Sequence, residues 1–90
     1  MNLDELRLEI NKIDEEMLAL FEKRMDVVKA VIEYKLKNDM PILDSKREDE
    51  VIKRNCSKLK NKEYEAYYVE FIKNNMKISK EFQNKIKESE

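Results

Sequence analysis

The chain has no glycine and no histidine, one proline and one cysteine. The missing glycine removes the Gly-rich phosphate loop and the dinucleotide fingerprint. It also argues against tight hairpins, whose turns draw on glycine for positive φ. Without histidine, and with Cys56 as the one thiol, a typical zinc site, a Cys–His nucleophile pair and a Ser-His-Asp triad are all excluded. A carboxylate-only Mg²⁺ or Ca²⁺ site stays open to this composition, although no D-x-D-x-D-G loop is present. A single cysteine forms no internal disulfide, which fits a reducing compartment and predicts a cytoplasmic protein. The longest apolar run, MLALF at 17–21, is far too short to span a bilayer. The opening MNLDELRLEI reads as an acidic amphipathic helix rather than a secretory leader. Nor is there a surplus of one charge: 19 Lys and Arg face 20 Asp and Glu, a net charge of −1. No global field draws in nucleic acid or an anionic membrane. An enzyme of this composition is expected to work without transition metal, covalent nucleophile or nucleotide cradle.

What is present is helix. Leu3, Leu6, Ile10, Ile13, Met17, Leu20, Arg24, Val27, Val31 and Tyr34 alternate by three and four, which is a heptad seam. Pro41 breaks it and biases Met40 away from helix. A first helix is therefore predicted over about 2–37. Ser45 and Glu48 form a capping-box pattern, and Asp44 is an equally good cap. A second helix follows over about 45–60, with Glu48, Val51, Ile52, Cys56 and Leu59 on one face. Asn61 can cap a third, over about 62–87, whose stripe is Tyr64, Tyr68, Phe71, Ile72, Asn75, Ile78, Ser79, Phe82 and Ile86. No strand, repeat or linker interrupts residues 1–90, which read as one all-α domain of three helices.

The first helix decides the architecture. Some 36 residues make a rod of about 54 Å, whereas a compact chain of 90 residues is about 30 Å across. Hydrophobic residues are 41% of the chain and charged residues 43%, so the core is thin. A second copy lying alongside is the simplest cover for the seam, and the expected object is an intertwined helical homodimer.

Several polar residues sit where apolar ones belong. Arg24 shares its heptad position with Leu3, Ile10, Met17 and Val31. Its two readings are a register-setting residue of a coiled coil and an anion-binding group facing a pocket. Arg7, Asp14, Phe21, Val28 and Lys35 lie seven apart on the flank of the seam. Alone, Arg7 and Lys35 are solvated flank residues with buried stems. Lys35 follows Arg24 by eleven residues, about 20° around the helix, so the two can converge. Three cations on one otherwise apolar face are less well explained by solvation alone. Arg47 and Glu48 with Asp44 are ordinary first-turn chemistry taken singly. Ser79 and Gln83, an i, i+4 pair, are ordinary helix-surface polarity, and Asn75 is a core polar group or a cavity liner. The aromatics Tyr64, Tyr67, Tyr68, Phe71 and Phe82 read as core and interface packing, Cys56 as a small core hydrophobe, and Lys73, Lys77, Lys80 and Lys85 as a solvated face.

Taken in order, Arg7, Asp14, Arg24, Lys35, the turn ending in Asp44 with Arg47-Glu48, and Ser79-x-x-x-Gln83 resemble the all-helical chorismate mutase family, type II. The resemblance runs from about Leu3 to Ile86. KRMDVVKAVIEYK is similar to the family's long-helix signature and PILDSKRE to its loop and second helix. It implies a chorismate-to-prephenate rearrangement within the shikimate pathway, for phenylalanine and tyrosine biosynthesis, with no cofactor and no metal. It implies that Arg24 and the partner subunit's Arg7 clamp the two carboxylates. Lys35 and Gln83 match the donors to the ether oxygen. Glu48, with the backbone of Asp44, matches the group that holds the ring hydroxyl. Arg47 matches an accessory residue beside it, and Ser79 a hydroxyl near a carboxylate.

The chemistry agrees with the composition. An intramolecular [3,3] rearrangement needs a flexible dianion held in its reactive conformer and fixed donors for the oxygen that gains charge. The rival readings are an isochorismate pyruvate-lyase on the same fold, an amino-deoxychorismate mutase, and a helical dimerisation module without activity. Asp44 with Arg47-Glu48 favours the mutase over the lyase, and the aligned cations with Ser79 and Gln83 argue against the module. A chain of this length is also expected to carry no feedback domain of its own.

Overall fold

The computed structural model describes residues 1–90 and is helical almost throughout. Its elements are α1 (Leu3–Lys37), α2 (Ser45–Lys58), a single 3-10 turn (Lys62–Tyr64) and α3 (Glu65–Glu88). Asn2 caps α1, its side chain accepting from the Glu5 N–H at 2.9 Å. Nothing in the run that follows breaks a helix, so α1 runs for 35 residues until two local bonds end it. The Asn38 amide donates to the Tyr34 carbonyl at 2.8 Å, and the Met40 N–H donates back to the Lys35 carbonyl at 2.9 Å. The second bond is the 6→1 closure of a Schellman turn. That turn needs a left-handed residue, and in a chain without glycine Asp39 takes the position at φ 51°. Asp is one of the few side chains that visit this region.

Asp44, rather than Ser45, is the N-cap of α2, its carboxylate accepting from the Arg47 N–H at 3.0 Å. Ser45 is the first helical residue, so Glu48 stands one position too far along for the capping box. Its carboxylate is left for another partner. α2 ends at Lys58, two residues before the sequence predicts, because Leu59 turns to extended backbone at ψ 121°. Asn61 caps the 3-10 turn that leads into α3, accepting from the Glu63 N–H at 3.0 Å.

The three helices are an open arrangement. α3 packs on both α1 and α2, while α1 and α2 do not approach each other closely. The radius of gyration is 16.3 Å, against about 12 Å for a compact chain of this size. The extents are 53 × 26 × 15 Å. The core is correspondingly small: Ile32, Ile72, Met76, Ser79 and Gln83 are its buried members, all on α1 or α3.

Apart from Arg24, the heptad seam is not what α1 turns toward α3. Arg24, Met25, Val28, Ile32, Lys35 and Leu36 are the covered residues of α1. Val28 lies about 60° around the helix from Val31 of the seam, at 100° per residue. The seam itself stays open, with Leu20 64%, Val27 58% and Tyr34 62% exposed. Of the aromatics expected to pack, Tyr64, Tyr67 and Phe71 are exposed, whereas Tyr68 and Phe82 are half-buried. Tyr68 also accepts a bond from the Asn55 amide at 3.0 Å, which pins α3 to α2. No helix is long and apolar enough to cross a membrane.

Candidate active site

Two hollows lie along α3. The larger, about 470 Å³, is apolar and lies toward the bare end of α1; Met17, Leu20, Phe21, Phe71 and Ile78 line it. The smaller, about 250 Å³, is where the chemistry gathers. Arg24, Lys35, Asp44, Arg47, Glu48, Ser79 and Gln83 all line it, brought there by all three helices and the α1–α2 loop. Val28, Val31, Val51 and Met76 supply its apolar wall. Arg24 is common to both hollows.

Each polar side chain is held by its local structure. The Arg24 guanidinium donates to the Ser79 hydroxyl across the α1–α3 contact. Ser79 donates its own proton to the Asn75 carbonyl one turn back, at 3.0 Å. Ser79, expected near a bound carboxylate, is therefore an acceptor that fixes an arginine. The Lys35 ammonium donates to the Ile42 carbonyl at 2.9 Å and so closes the α1–α2 loop over the pocket. An ammonium has three N–H donors, so two remain. The Gln83 amide donates one N–H to the Ser79 carbonyl at 3.3 Å, and its oxygen is buried without a partner. A buried unpaired acceptor costs about 1–3 kcal/mol, which a donor arriving in the pocket would relieve.

Asp44 uses its carboxylate as the α2 cap and its carbonyl for the Glu48 N–H at 3.0 Å, while its own N–H makes no backbone bond. Arg47 lines the pocket and enters no ion pair. The Glu48 carboxylate, free of the cap, meets Lys80 of α3 at 3.0 Å. Lys80 is the residue that sequence reasoning missed. It belongs to a series of lysines read as a solvated face, yet it stands one residue after Ser79 and is only 31% exposed. Its place beside Ser79 on the stripe's edge was the available signal.

Arg7 is the sequence-predicted site residue that this chain does not bring in. It is exposed, and seventeen residues of α1 separate it from Arg24, about 25 Å along the rod. The pocket walls carry four cationic side chains, Arg24, Lys35, Arg47 and Lys80, against the two acidic ones, Asp44 and Glu48. The surplus of two positive charges suits a small dianion, and Arg24 with Arg47 offers planar forks for carboxylates. No group of three acidic or thiol side chains converges as a metal site would require.

The family model described as chorismate mutase type II matches residues 6–84. No curated protein and no solved structure matches the chain at a significant level.

Proposed function

The chain belongs to the type II chorismate mutase family, and from that premise we propose that residues 1–90 form one catalytic domain that rearranges chorismate to prephenate, a step toward phenylalanine and tyrosine. The observation that carries the reading is the smaller pocket, in which seven of the residues matching the family pattern line one 250 Å³ space. That volume lies just under the roughly 300–1,000 Å³ of drug-sized ligand pockets, the scale of a small metabolite.

The reaction asks for orientation and for charge at one oxygen. Arg24 grips one substrate carboxylate, and its guanidinium is held in place by the Ser79 hydroxyl. Ser79 thus acts on the substrate through Arg24. The second carboxylate falls to the partner subunit's Arg7. Together they hold the flexible dianion in the folded conformer from which the new carbon–carbon bond forms, which removes much of the entropic barrier. As the C–O bond breaks, negative charge grows on the ether oxygen. The free N–H donors of Lys35 and Gln83 meet it there. Fixed donors in a water-poor pocket lower such a barrier strongly, about 10²–10³ in rate for each one. Glu48 and the Asp44 N–H hold the ring hydroxyl, and Arg47 adds charge beside them. No proton transfer and no covalent intermediate enters the scheme.

The partner copy belongs to the same proposal. The exposed seam from Leu3 to Tyr34 and the apolar 470 Å³ hollow are covered when two chains lie side by side with their long helices antiparallel. The bare end of each α1 then delivers Arg7 to its neighbour's pocket.

The test is purified protein with chorismate, followed by loss of its absorbance and identification of the product. Prephenate forming without added metal or cofactor is the expected result. Release of pyruvate from isochorismate without prephenate from chorismate would favour the lyase, and no turnover of either would contradict the reading.

A further inference from the structure

We propose that Lys80 is a specificity-determining residue: paired with Glu48, it tunes the pocket to a neutral hydroxyl on the substrate ring and against a positively charged amine at the same place. The proposal rests on the mutase reading of the pocket.

The geometry is a bridge between two helices. The Lys80 ammonium from α3 lies 3.0 Å from one oxygen of Glu48 on α2 and 3.2 Å from the other. It is the one ion pair in the chain. Both side chains line the pocket, and both are more than two-thirds covered. A lone carboxylate there would prefer an ammonium to a hydroxyl, because a bond between two ionised groups is the stronger. Lys80 reverses that preference. It neutralises the carboxylate, and a second cation reaching for the same oxygens comes within a few Å of the first, where like charges repel. A hydroxyl meets no such repulsion. An ionised carboxylate has about four acceptor sites; Lys80 hydrogen-bonds one oxygen and lies against the other, and the remaining lone pairs are left for the hydroxyl. Discrimination by repulsion of the wrong ligand is a recurring route to specificity. The bridge also fixes the Glu48 rotamer and ties α2 to α3 across the pocket, so it positions the acceptor as well as choosing its ligand.

The experiment measures kcat/KM for chorismate and for the analogue whose ring hydroxyl is replaced by an amino group. The proteins are the parent, Lys80→Met, Lys80→Arg and Glu48→Gln, each checked for helix content by circular dichroism. Lys80→Met keeps the stem and removes the charge; Lys80→Gln replaces it if that variant does not fold. The ratio of the two constants should move about tenfold toward the amine in Lys80→Met, a shift moderated by the partial exposure of the pair. Lys80→Arg should keep the parent's ratio. Glu48→Gln leaves Lys80 unpaired and should move the ratio further against the amine. A residue that merely packs would lower both constants together, and an unchanged ratio in Lys80→Met would overturn the proposal while the parent still made prephenate. A parent that does not convert chorismate overturns the mutase reading, and this inference with it.

Discussion

From Leu3 to Lys23 every residue of α1 is exposed, while from Arg24 to Leu36 six are partly or wholly covered. The two stretches belong to one uninterrupted helix and carry one uninterrupted heptad seam. Their difference comes from what lies beside them. α3 flanks the end of the first stretch only across the open apolar hollow, and with the α1–α2 loop it covers residues of the second stretch alone, where Ile32 is fully buried and Arg24 and Lys35 face the polar pocket. The first stretch has Leu6, Ile10, Ile13 and Met17 open to solvent and no chemistry of its own except Arg7. A helix this long with so little cover is stable in water only if its apolar stripe is buried by something. In the proposed reading one half holds the substrate, and the other half holds the second copy and reaches into its pocket.

The largest effect expected from separating the two halves is at Arg24. Arg24→Ala should lower kcat/KM for chorismate about 10³-fold. The fold should be retained, since Ser79 keeps its bond to Asn75, with a thermal midpoint within a few degrees of the parent's. Near-normal turnover would make Arg24 a register residue and leave the pocket without its main clamp.

Gln83→Glu follows. An amide donates at any pH, but a carboxyl donates only when protonated, and its ordinary pKa is about 4.3. Lys35 and Arg24 line the same pocket and favour the ionised form, while burial at this position opposes it. Ionised, the new side chain sets negative charge against an oxygen that is itself becoming negative. The variant should be about 10²-fold slow near pH 7 and gain activity as the pH falls, whereas the parent should show no such acid requirement. The check is kcat/KM against pH for both proteins, over the range where circular dichroism shows them folded. A flat, undiminished profile would remove Gln83 from the ether oxygen.

Much of this arrangement is legible in the residues alone, for reasons that can be named. Pro41 ends the long helix, Asp44 caps the next, and the order of Arg24, Lys35, Glu48, Ser79 and Gln83 carries the family pattern. What escapes is whatever depends on which face of a helix meets which neighbour. The seam is the most regular apolar feature of α1, yet the apolar residues that the chain covers are Met25, Val28 and Ile32, about 60–120° around the helix from Val31, because a single chain cannot cover both faces. Lys80 escapes for a related reason. Its pairing depends on Glu48 being free of the cap, and that follows from Asp44 rather than Ser45 serving as the N-cap of α2, two candidates between which the residues alone do not choose. Asp39 in left-handed backbone is hidden because the usual glycine signal is absent from the whole sequence.

The bare half can be broken by itself. Ile13→Glu keeps helix propensity and alters a side chain that is already 54% exposed in the single chain. In an isolated chain it should cost less than about 0.5 kcal/mol. Buried in a seam between two copies, an unpaired charge costs several kcal/mol. The dimer should therefore weaken by about 10²-fold or more in sedimentation equilibrium, and activity should become dependent on protein concentration. Unaltered association would place the interface elsewhere.

The smallest effect is at the end of the packed half. Asp39→Gly removes the side chain from a left-handed position and should stabilise the chain by about 0.5–1 kcal/mol, offset in part by the freedom glycine adds to the unfolded state. Thermal unfolding reads it directly. A lower midpoint would mean that the Asp39 side chain contributes a contact of its own to the turn.

In the proposed dimer, one chain's packed half and another chain's bare half make a single site. Mixing Arg7→Ala subunits with Arg24→Ala subunits tests it most directly. Each homodimer lacks one clamp at both sites. A heterodimer has one site with Arg24 from one chain and Arg7 of the partner subunit, both intact. After exchange of equal amounts, half the dimers are mixed and each has one working site of two, so activity should return to about a quarter of the parent's. Activity that stays at the level of the separate variants, with exchange of labelled subunits demonstrated, would contradict the shared site.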